Sequence, residues 1–313
     1  MVKRLCLLAL LVFVFTGSAL AADTPLVVGF SQIGAESGWR TAETESVISA
    51  VKELGIDLKF NDAQQKQENQ IRAIRSFVAQ GVDGILLAPV VETGWEPVLN
   101  EVKKANIPVI LLDRGITVDD ESLYVCKITS DFVFEGREAA KWVVQTLGGK
   151  GNVVQLQGTP GASAATERQK GFEEELAKTP DVKILESQTG DFTMELGKQV
   201  MEAFLKKYGT EINVVYAHND DMGLGAVQAI KEAGLKPGED IKIITVDATK
   251  AAFEAMVAGE VDAVVECNPL LGPLAYETLK KAIAGETLEK WIVQKDEVFT
   301  KDQAAAVIGS RKY

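Results

Sequence analysis

Short apolar runs alternate with amphipathic segments along almost the whole chain. Residues 26–31, 84–88 and 107–112 are apolar runs of strand length, and the segments between them have helical periodicity. Residues 67–79, for example, place their apolar side chains on one helical face and stop at Gly81. Strands that alternate with helices at this spacing form a parallel sheet covered by helices. The alternation therefore predicts an α/β fold.

A second series of the same kind begins after Asp131. Its strands are predicted at 152–157, 182–187, 212–217 and 241–246. A chain of 313 residues is long for a single core and suits two domains. We therefore expect two doubly wound parallel-sheet lobes.

The last part of the chain is expected to return to the first lobe. Strands are predicted at 261–267 and 291–299, with a helix between them over 272–283. The chain would then cross between the lobes three times, which predicts a three-strand hinge. The predicted boundaries are 22–130 plus 267–298 for the first lobe, and 131–266 plus 299–313 for the second.

Polar residues follow the predicted strands at the point where each strand ends. Asp113 and Arg114 follow one strand of the first lobe, and Asn219 and Asp247 follow two strands of the second. Ligands of open parallel sheets bind outside the carboxyl ends of the strands, so two facing lobes would line one cleft with these side chains. A carboxylate beside the five donors of a guanidinium suits a ligand with many hydroxyl groups.

The first residues have the pattern of a secretory signal peptide. Lys3 and Arg4 precede an apolar stretch over 5–15, and the small residues Ala19 and Ala21 predict cleavage after Ala21. The formal net charge of −12 becomes more negative when Lys3 and Arg4 are removed. Because a chain this acidic repels phosphate, we do not expect it to bind nucleic acid or anionic lipid.

Cysteine and histidine are scarce in this chain. Cys126 and Cys267 are the two cysteines after the predicted cleavage site. Both lie in apolar strand-like runs, which favours buried free thiols over a single disulfide. Because His218 is the one histidine and no Cys/His cluster occurs, we expect no metal site, no cofactor and no histidine-based nucleophile.

Several segments of the chain resemble, in order and spacing, the periplasmic sugar-binding proteins of the ribose-binding type. They are residues 108–114, 163–172, 190–192, 218–222 and 246–247. Further segments resemble the galactofuranose-binding branch of that family. They are residues 29–34, 36–40, 64–70 and 88–97. The resemblance covers essentially the whole chain after the signal peptide.

The resemblance implies a receptor in the periplasm that captures a monosaccharide. The resemblance to the galactofuranose-binding branch implies that this sugar is galactofuranose. Such a receptor delivers the sugar to the inner-membrane permease of an ABC transporter and is expected to be a monomer. Whether it also serves a chemotaxis transducer stays open. The alternative ligand is another furanose or pentose sugar such as arabinose.

The same resemblance implies which residues contact the sugar. They are Glu36, Ser37, Gly38, Trp39, Arg40, Asp113, Arg114, Arg168, Phe192, Asn219, Asp247 and Glu266. Trp39 is expected to be an exposed platform under the sugar ring, and Phe192 is expected to stack on the sugar. Glu266 is placed at the second crossing between lobes. Because Asn219 occupies the matching position, His218 is expected to be a packing or orienting residue.

Two features separate this chain from the ribose binders. Those proteins have paired phenylalanines in the first loop where this chain has Trp39, and an asparagine where this chain has Ala88. Ribopyranose is therefore not expected as the ligand. Two interpretations of Trp95 stay open: it packs at the start of a helix, or it forms part of the cleft wall.

Two other classes of protein fit the sequence less well than a receptor does. A glycosidase needs one protonated and one ionised carboxyl group, whereas an arginine beside Asp113 suits a permanently ionised acceptor. The related sugar-operon repressors carry an N-terminal DNA-binding domain, and this chain has an export signal there. We therefore predict a binding protein and not an enzyme.

Overall fold

The structure, a computed structural model, describes residues 25–313. The predicted signal peptide over 1–21 lies outside the described residues. Within the described range, two six-stranded sheets are flanked by helices. The prediction of two parallel-sheet α/β lobes is confirmed.

The first sheet has the strand order β11-β5-β4-β3-β1-β2 and is parallel throughout. Its strands are β1 (Val27–Gln32), β2 (Asp57–Asp62), β3 (Gly84–Leu87), β4 (Val109–Leu112), β5 (Cys126–Ser130) and β11 (Trp291–Gln294). Its helices are α1 (Gly38–Leu54), α2 (Gln67–Gln80), α3 (Glu96–Lys104) and α9 (Gly272–Ile283).

The second sheet has the order β12-β10-β9-β8-β6-β7, and only β12 is antiparallel to its neighbour among the described strands. Its strands are β6 (Gly151–Gln157), β7 (Val182–Thr189), β8 (Val214–Ala217), β9 (Lys242–Asp247), β10 (Ala263–Glu266) and β12 (Val298–Thr300). Its helices are α4 (Phe132–Thr146), α5 (Ser163–Leu176), α6 (Met194–Tyr208), α7 (Asp220–Glu232), α8 (Lys250–Val257) and α10 (Lys301–Val307).

The central strands are apolar at every position because helices cover both faces of each sheet. All four residues of β3, of β4 and of β8 are buried. A strand buried on both faces gains from an apolar side chain at every position, instead of at alternate ones. This burial accounts for the continuous apolar runs in the sequence.

The predicted single strand over 291–299 is two strands in the structure. β11 pairs in parallel with β5 of the first sheet, and β12 pairs antiparallel with β10 of the second. The three residues between them pass from one lobe to the other, and a segment that changes sheets cannot keep one ladder of hydrogen bonds. The prediction of one continuous strand was wrong for that reason.

The two remaining cysteines are both buried free thiols. Cys126 lies in the core of the first lobe, and Cys267 follows β10 at the second crossing. The disulfide alternative is therefore wrong. Over residues 25–313, no helix combines the length and the apolar character that a membrane span requires.

Candidate ligand-binding site

The carboxyl ends of the two sheets face each other across a cavity of about 290 Å³, a volume that includes space open to solvent. Residues of both lobes line it: Glu36, Ser37, Trp39, Arg40, Asp113, Arg114, Ala164, Arg168, Phe192, Asn219, Asp247 and Cys267. Ten of these lining residues were predicted from the sequence. Gly38 and Glu266 were predicted but do not line the cavity, and Ala164 and Cys267 line it without having been predicted.

Arg40 is held on the first wall by three carboxylates. Its Nε donates to Glu36 Oε1 at 3.0 Å, its Nη2 donates to Asp113 Oδ2 at 2.7 Å, and its Nη1 donates to Glu43 Oε2. Burial acts to lower the pKa of Arg40, but the carboxylates, Asp113 first, outweigh it and raise the pKa well above its usual value. Arg40 is therefore a permanent and immobilised donor.

Glu43 is a functional candidate that the sequence interpretation missed. It is fully buried on α1, where burial raises its pKa to about 7 against the opposing effect of Arg40. Gln32 Nε2 also donates to it at 3.1 Å. Its position three residues after Arg40 places both side chains on one helical face, and that spacing could have revealed it.

Arg114 also faces the cavity from the first wall, but it has fewer polar partners. Its Nη1 donates to Val90 O at 3.0 Å, and its Nε has no hydrogen-bond partner within residues 25–313. Burial and then Arg40 lower its pKa to about 10. Its guanidinium lies 5.1 Å from the ring centroid of Phe192, a cation–π contact between the lobes.

Arg168 is the matching arginine of the second wall. Its Nε donates to Glu135 Oε2 at 2.6 Å and its Nη1 to His218 O at 2.6 Å. Asp247 Oδ1 lies 3.9 Å from Nη2, beyond hydrogen-bond distance. Burial raises the pKa of Asp247 well above its usual value, and nearby Asp220 adds to this. Asp247 thus lies near Arg168 without a hydrogen bond to it.

Asn219 and His218 have largely structural roles in the second wall. Asn219 caps α7, where its Oδ1 accepts from Met222 N at 3.0 Å and its Nδ2 donates to Phe192 O at 3.0 Å. His218 is fully buried with its Nε2 2.7 Å from Gln155 Nε2. His218 does not line the cavity, as expected of a packing residue.

Left-handed backbone conformations occur where strands deliver side chains to the cavity. Asp113, Phe192 and Asp247 have φ values of 60°, 61° and 123°. Such values are unfavourable for residues with a Cβ, and they cost of order 1–3 kcal/mol each unless the surroundings hold them. At Phe192 the surroundings include Gly158, where a Cβ would overlap the phenyl ring. The second wall therefore depends on a glycine that the sequence did not single out.

Trp39 is buried in the structure and not exposed as predicted. Only 4% of its surface is accessible, and its indole Nε1 donates to Cys267 O at 2.6 Å. It packs with apolar side chains of the second lobe, because α1 begins at Gly38 and points its first turn across the cleft. Trp95 is a fully buried core residue whose Nε1 donates to Val91 O at 2.7 Å.

The two predicted residues outside the cavity have other partners. Gly38 N donates to Asp221 Oδ2 at 3.2 Å, a contact between the lobes, and burial raises the pKa of Asp221 to about 6. Glu266 Oε1 accepts from Arg311 Nη2 at 2.7 Å and from Tyr313 Oη at 3.1 Å. Since successive residues of a strand point to opposite faces, Cys267 reaches the cavity where Glu266 cannot.

More contacts close the cleft at its other edge. Glu92 N donates to Gly161 O at 2.8 Å, and Gly115 N donates to Ser163 Oγ at 2.9 Å. The structure therefore shows the lobes closed on each other. In the part of the chain described, no group of three or more His, Cys, Asp or Glu side chains is arranged to hold a metal ion.

Comparison with known proteins identifies the family. A family profile described as a periplasmic binding protein domain matches residues 28–287. The chain is 51% identical to the galactofuranose-binding protein YtfQ of Escherichia coli (strain K12), over 99% of this chain and 98% of that protein.

Two solved structures are similar throughout. One is the periplasmic component of the arabinose ABC transporter of Shewanella sp. ANA-3, bound to α- and β-L-arabinofuranose. It has a TM-score of 0.89, 52% identity, and coverage of 91% of this chain and 95% of that one. The other, from Mycobacterium smegmatis in complex with β-D-fucofuranose, has a TM-score of 0.90 and 53% identity, with coverage of 92% and 95%. The chain therefore belongs to the periplasmic binding proteins of the ribose-binding type.

Proposed function

We propose that this protein captures a monosaccharide in its furanose form, galactofuranose first, for an ABC importer. The observation that carries the proposal is the cavity between the lobes, which combines fixed arginines, carboxylates and two aromatic side chains in about 290 Å³. The cavity is lined mostly by side chains that can donate or accept hydrogen bonds. It suits one sugar ring whose hydroxyl groups both donate and accept.

Each wall contributes a different part of the recognition. Arg40 and Asp113 offer a donor and an acceptor from the first lobe, and Arg168 and Asp247 offer the same pair from the second. Charge-assisted hydrogen bonds of this kind contribute roughly 1.5–3 kcal/mol each. The rings of Trp39 and Phe192 supply apolar faces for the C–H groups of a sugar.

The three relatives compared above support a furanose ring. Their named ligands are galactofuranose, L-arabinofuranose and β-D-fucofuranose, which share a five-membered ring and differ outside it. L-arabinofuranose is the second candidate ligand, because the arabinose component is as similar to this chain as the galactofuranose protein. Glu36 Oε2 and Arg114 Nε, buried beside the cavity and without partners in the described range, are available for such a ligand.

The remaining features of the proposal follow from the family. Export by the segment 1–21 would place the receptor in the periplasm, and the inner-membrane permease of the importer is its proposed partner. A chemotaxis transducer as a further partner stays a prediction. We propose no catalytic step. We also propose lobe boundaries at 130/131, 266/267 and near 298/299. The first two separate the sheets and their helices, whereas 298/299 lies one residue inside β12, whose Val298 pairs with Val265 of the second sheet.

The test is a thermal-shift panel followed by NMR. A ligand at 100 times its dissociation constant adds about 2.7 kcal/mol of stability, so D-galactose, L-arabinose and D-fucose should raise the melting temperature more than D-glucose and D-ribose. Carbon-13 spectra of the labelled sugar with excess protein should then show the furanose ring in the complex. A complex that contains only the pyranose ring would contradict the proposal.

A further inference from the structure

Glu135 is a buried acid that belongs to the second lobe but lies next to the hinge. It is on the first turn of α4, directly after the chain crosses from the first lobe to the second. Its side chain is fully buried and does not line the cavity. Its Oε2 accepts from Arg168 Nε at 2.6 Å, and its Oε1 has no hydrogen-bond partner among residues 25–313.

The helices that carry Glu135 and Arg168 are in unusually close contact. A Cβ added at Gly136 of α4 would overlap the backbone oxygen of Arg168, and one added at Gly171 of α5 would overlap that of Val133. The two backbones can therefore neither separate nor slide without loss of packing. Because the backbones are fixed, the direction of the Arg168 guanidinium is set by its two acceptors, the Glu135 carboxylate and the carbonyl oxygen of His218.

Glu135 also faces the second and third crossings of the hinge. The ionisable groups whose charges act on it or respond to it are Arg168, Tyr216, Asp247, Cys267, Asp296 and, from the first lobe, Asp113. Asp296 lies in the third crossing with both carboxylate oxygens buried and unpaired within the described chain. Burial raises the pKa of Glu135 to about 7 and that of Asp296 to about 8.

We propose that Glu135 is a positioning residue for sugar binding. It orients the Arg168 guanidinium towards the cavity and links this orientation to closure of the hinge. The proposal rests on the proposed sugar-binding function. In the closed structure, Cys267 and Asp296 in the crossings and Asp113 in the first wall act on this carboxylate, and Arg168 is the one cation among the described groups that act on it. Like charges at short range favour the protonated form of one partner, so closure takes up protons.

The proton uptake on closure determines whether sugar affinity rises or falls with pH. A group that holds its proton more tightly in the closed state than in the open state makes the closed state more favourable as pH falls. Since only the closed state completes the site, sugar affinity should rise from pH 8 to pH 6. A residue that merely supported the fold would change the melting temperature but not this slope.

The test uses titration calorimetry on the full chain without its signal peptide, with D-galactose and L-arabinose as probes. Glu135→Gln keeps the shape and removes the charge, and Glu135→Ala removes both. Glu138→Gln is the matched control, because Glu138 lies three residues further on the same helix and pairs with Lys141 at the surface. Each variant is measured at pH 6, 7 and 8 in two buffers that differ in ionisation enthalpy.

We expect wild type and Glu138→Gln to take up protons on binding and to bind more tightly at pH 6. Glu135→Gln resembles the protonated acid, so it should keep about the affinity that wild type has at pH 6 and lose most of the pH slope, because its amide oxygen can accept from Arg168 Nε without taking up a proton. Glu135→Ala should bind about 100-fold more weakly, because Arg168 loses its one bonded carboxylate.

Three outcomes would overturn the inference. Folded Glu135 variants that bind within twofold of wild type with the same pH slope would show that the residue does not position Arg168, while the sugar-binding function would stand. Absence of proton uptake in wild type would overturn the coupling to closure, even if neither variant folds. Absence of any binding of the sugar panel by wild type would remove the proposed function and this inference together.

Discussion

The two walls of the cleft hold their arginines in different ways. Arg40 has three carboxylate partners, and all of them belong to the first lobe. Arg168 has one hydrogen-bonded carboxylate partner, Glu135 beside the hinge, and a more distant one, Asp247, at 3.9 Å. Each arginine is thus held by groups of its own lobe, but the first wall uses three carboxylates, whereas the second wall uses one carboxylate and the carbonyl oxygen of His218. A wall whose side chains have more fixed partners loses less entropy when a ligand binds, so we expect the first wall to be the more preorganised of the two.

Removal of each arginine should give the largest difference in stability between the two walls. Arg40→Ala leaves Glu36 and Glu43 without their cation and Asp113 with only Arg114 at 3.7 Å, and loss of one partner of a buried pair typically costs about 3–5 kcal/mol. Arg168→Ala leaves Glu135, whose raised pKa of about 7 lets it become neutral instead. We expect Arg40→Ala to lower the free energy of unfolding by several kcal/mol and Arg168→Ala by less, as measured in urea titrations without sugar. Equal losses would show that the walls do not differ.

Asp113→Ala should remove sugar binding with less effect on the fold. The substitution deletes an acceptor and one of the three partners of Arg40, so we expect the affinity to fall at least 100-fold, or about 3 kcal/mol. Titration calorimetry with the best sugar measures the loss. Asp119→Ala is the control, because Asp119 is an exposed acid six residues away. Affinity near that of wild type in a folded Asp113→Ala protein would remove this residue from the site.

Closure itself can be measured by small-angle scattering. If sugar binding closes the lobes about the three crossings, the radius of gyration should fall when ligand is added. A shift from 1:99 to 99:1 in favour of the closed state requires about 5.5 kcal/mol of differential affinity. Arg168→Ala should weaken both the compaction and the affinity, the latter by about 10-fold to 100-fold. A radius that does not change at saturating sugar would contradict the hinge.

The smallest expected effect is on the pH dependence of stability. Burial raises the pKa of Glu43, Glu135 and Asp220 to about 7 and that of Asp296 to about 8. Acids with a raised pKa keep their protons in the folded state when the unfolded chain has released them, so stability falls as pH rises from about 5 to 8. His218, whose pKa burial lowers, acts in the opposite direction as pH falls through its ordinary value.

The melting temperature without sugar should therefore be higher at pH 5.5 than at pH 8. Asp296→Asn should flatten this slope and raise the melting temperature at pH 8, because the amide carries no charge to bury. Asp302→Asn at the exposed start of α10 is the control. A slope that Asp296→Asn leaves unchanged would show that this carboxyl group is not among those responsible.

The sequence alone determined the fold class and most of the cavity lining. Apolar runs without alternation predicted strands buried on both faces, and strand ends located Asp113, Asn219 and Asp247, because parallel strands meet at one edge. It did not predict helices α8 and α10, which are short and follow brief apolar strands. Resemblance to a family supplied Arg168, Phe192 and the segment 36–40, which no periodicity distinguishes from ordinary helix and turn residues.

Only the tertiary structure decided which groups became partners. It paired Arg40 with Glu43 and Arg168 with Glu135, directed Cys267 to the cavity instead of Glu266, and buried Trp39 against the opposite lobe. It also divided the predicted strand over 291–299 between two sheets. Local patterns depend on neighbours within one or two helical turns, whereas these contacts join segments that meet only after both lobes have folded and closed.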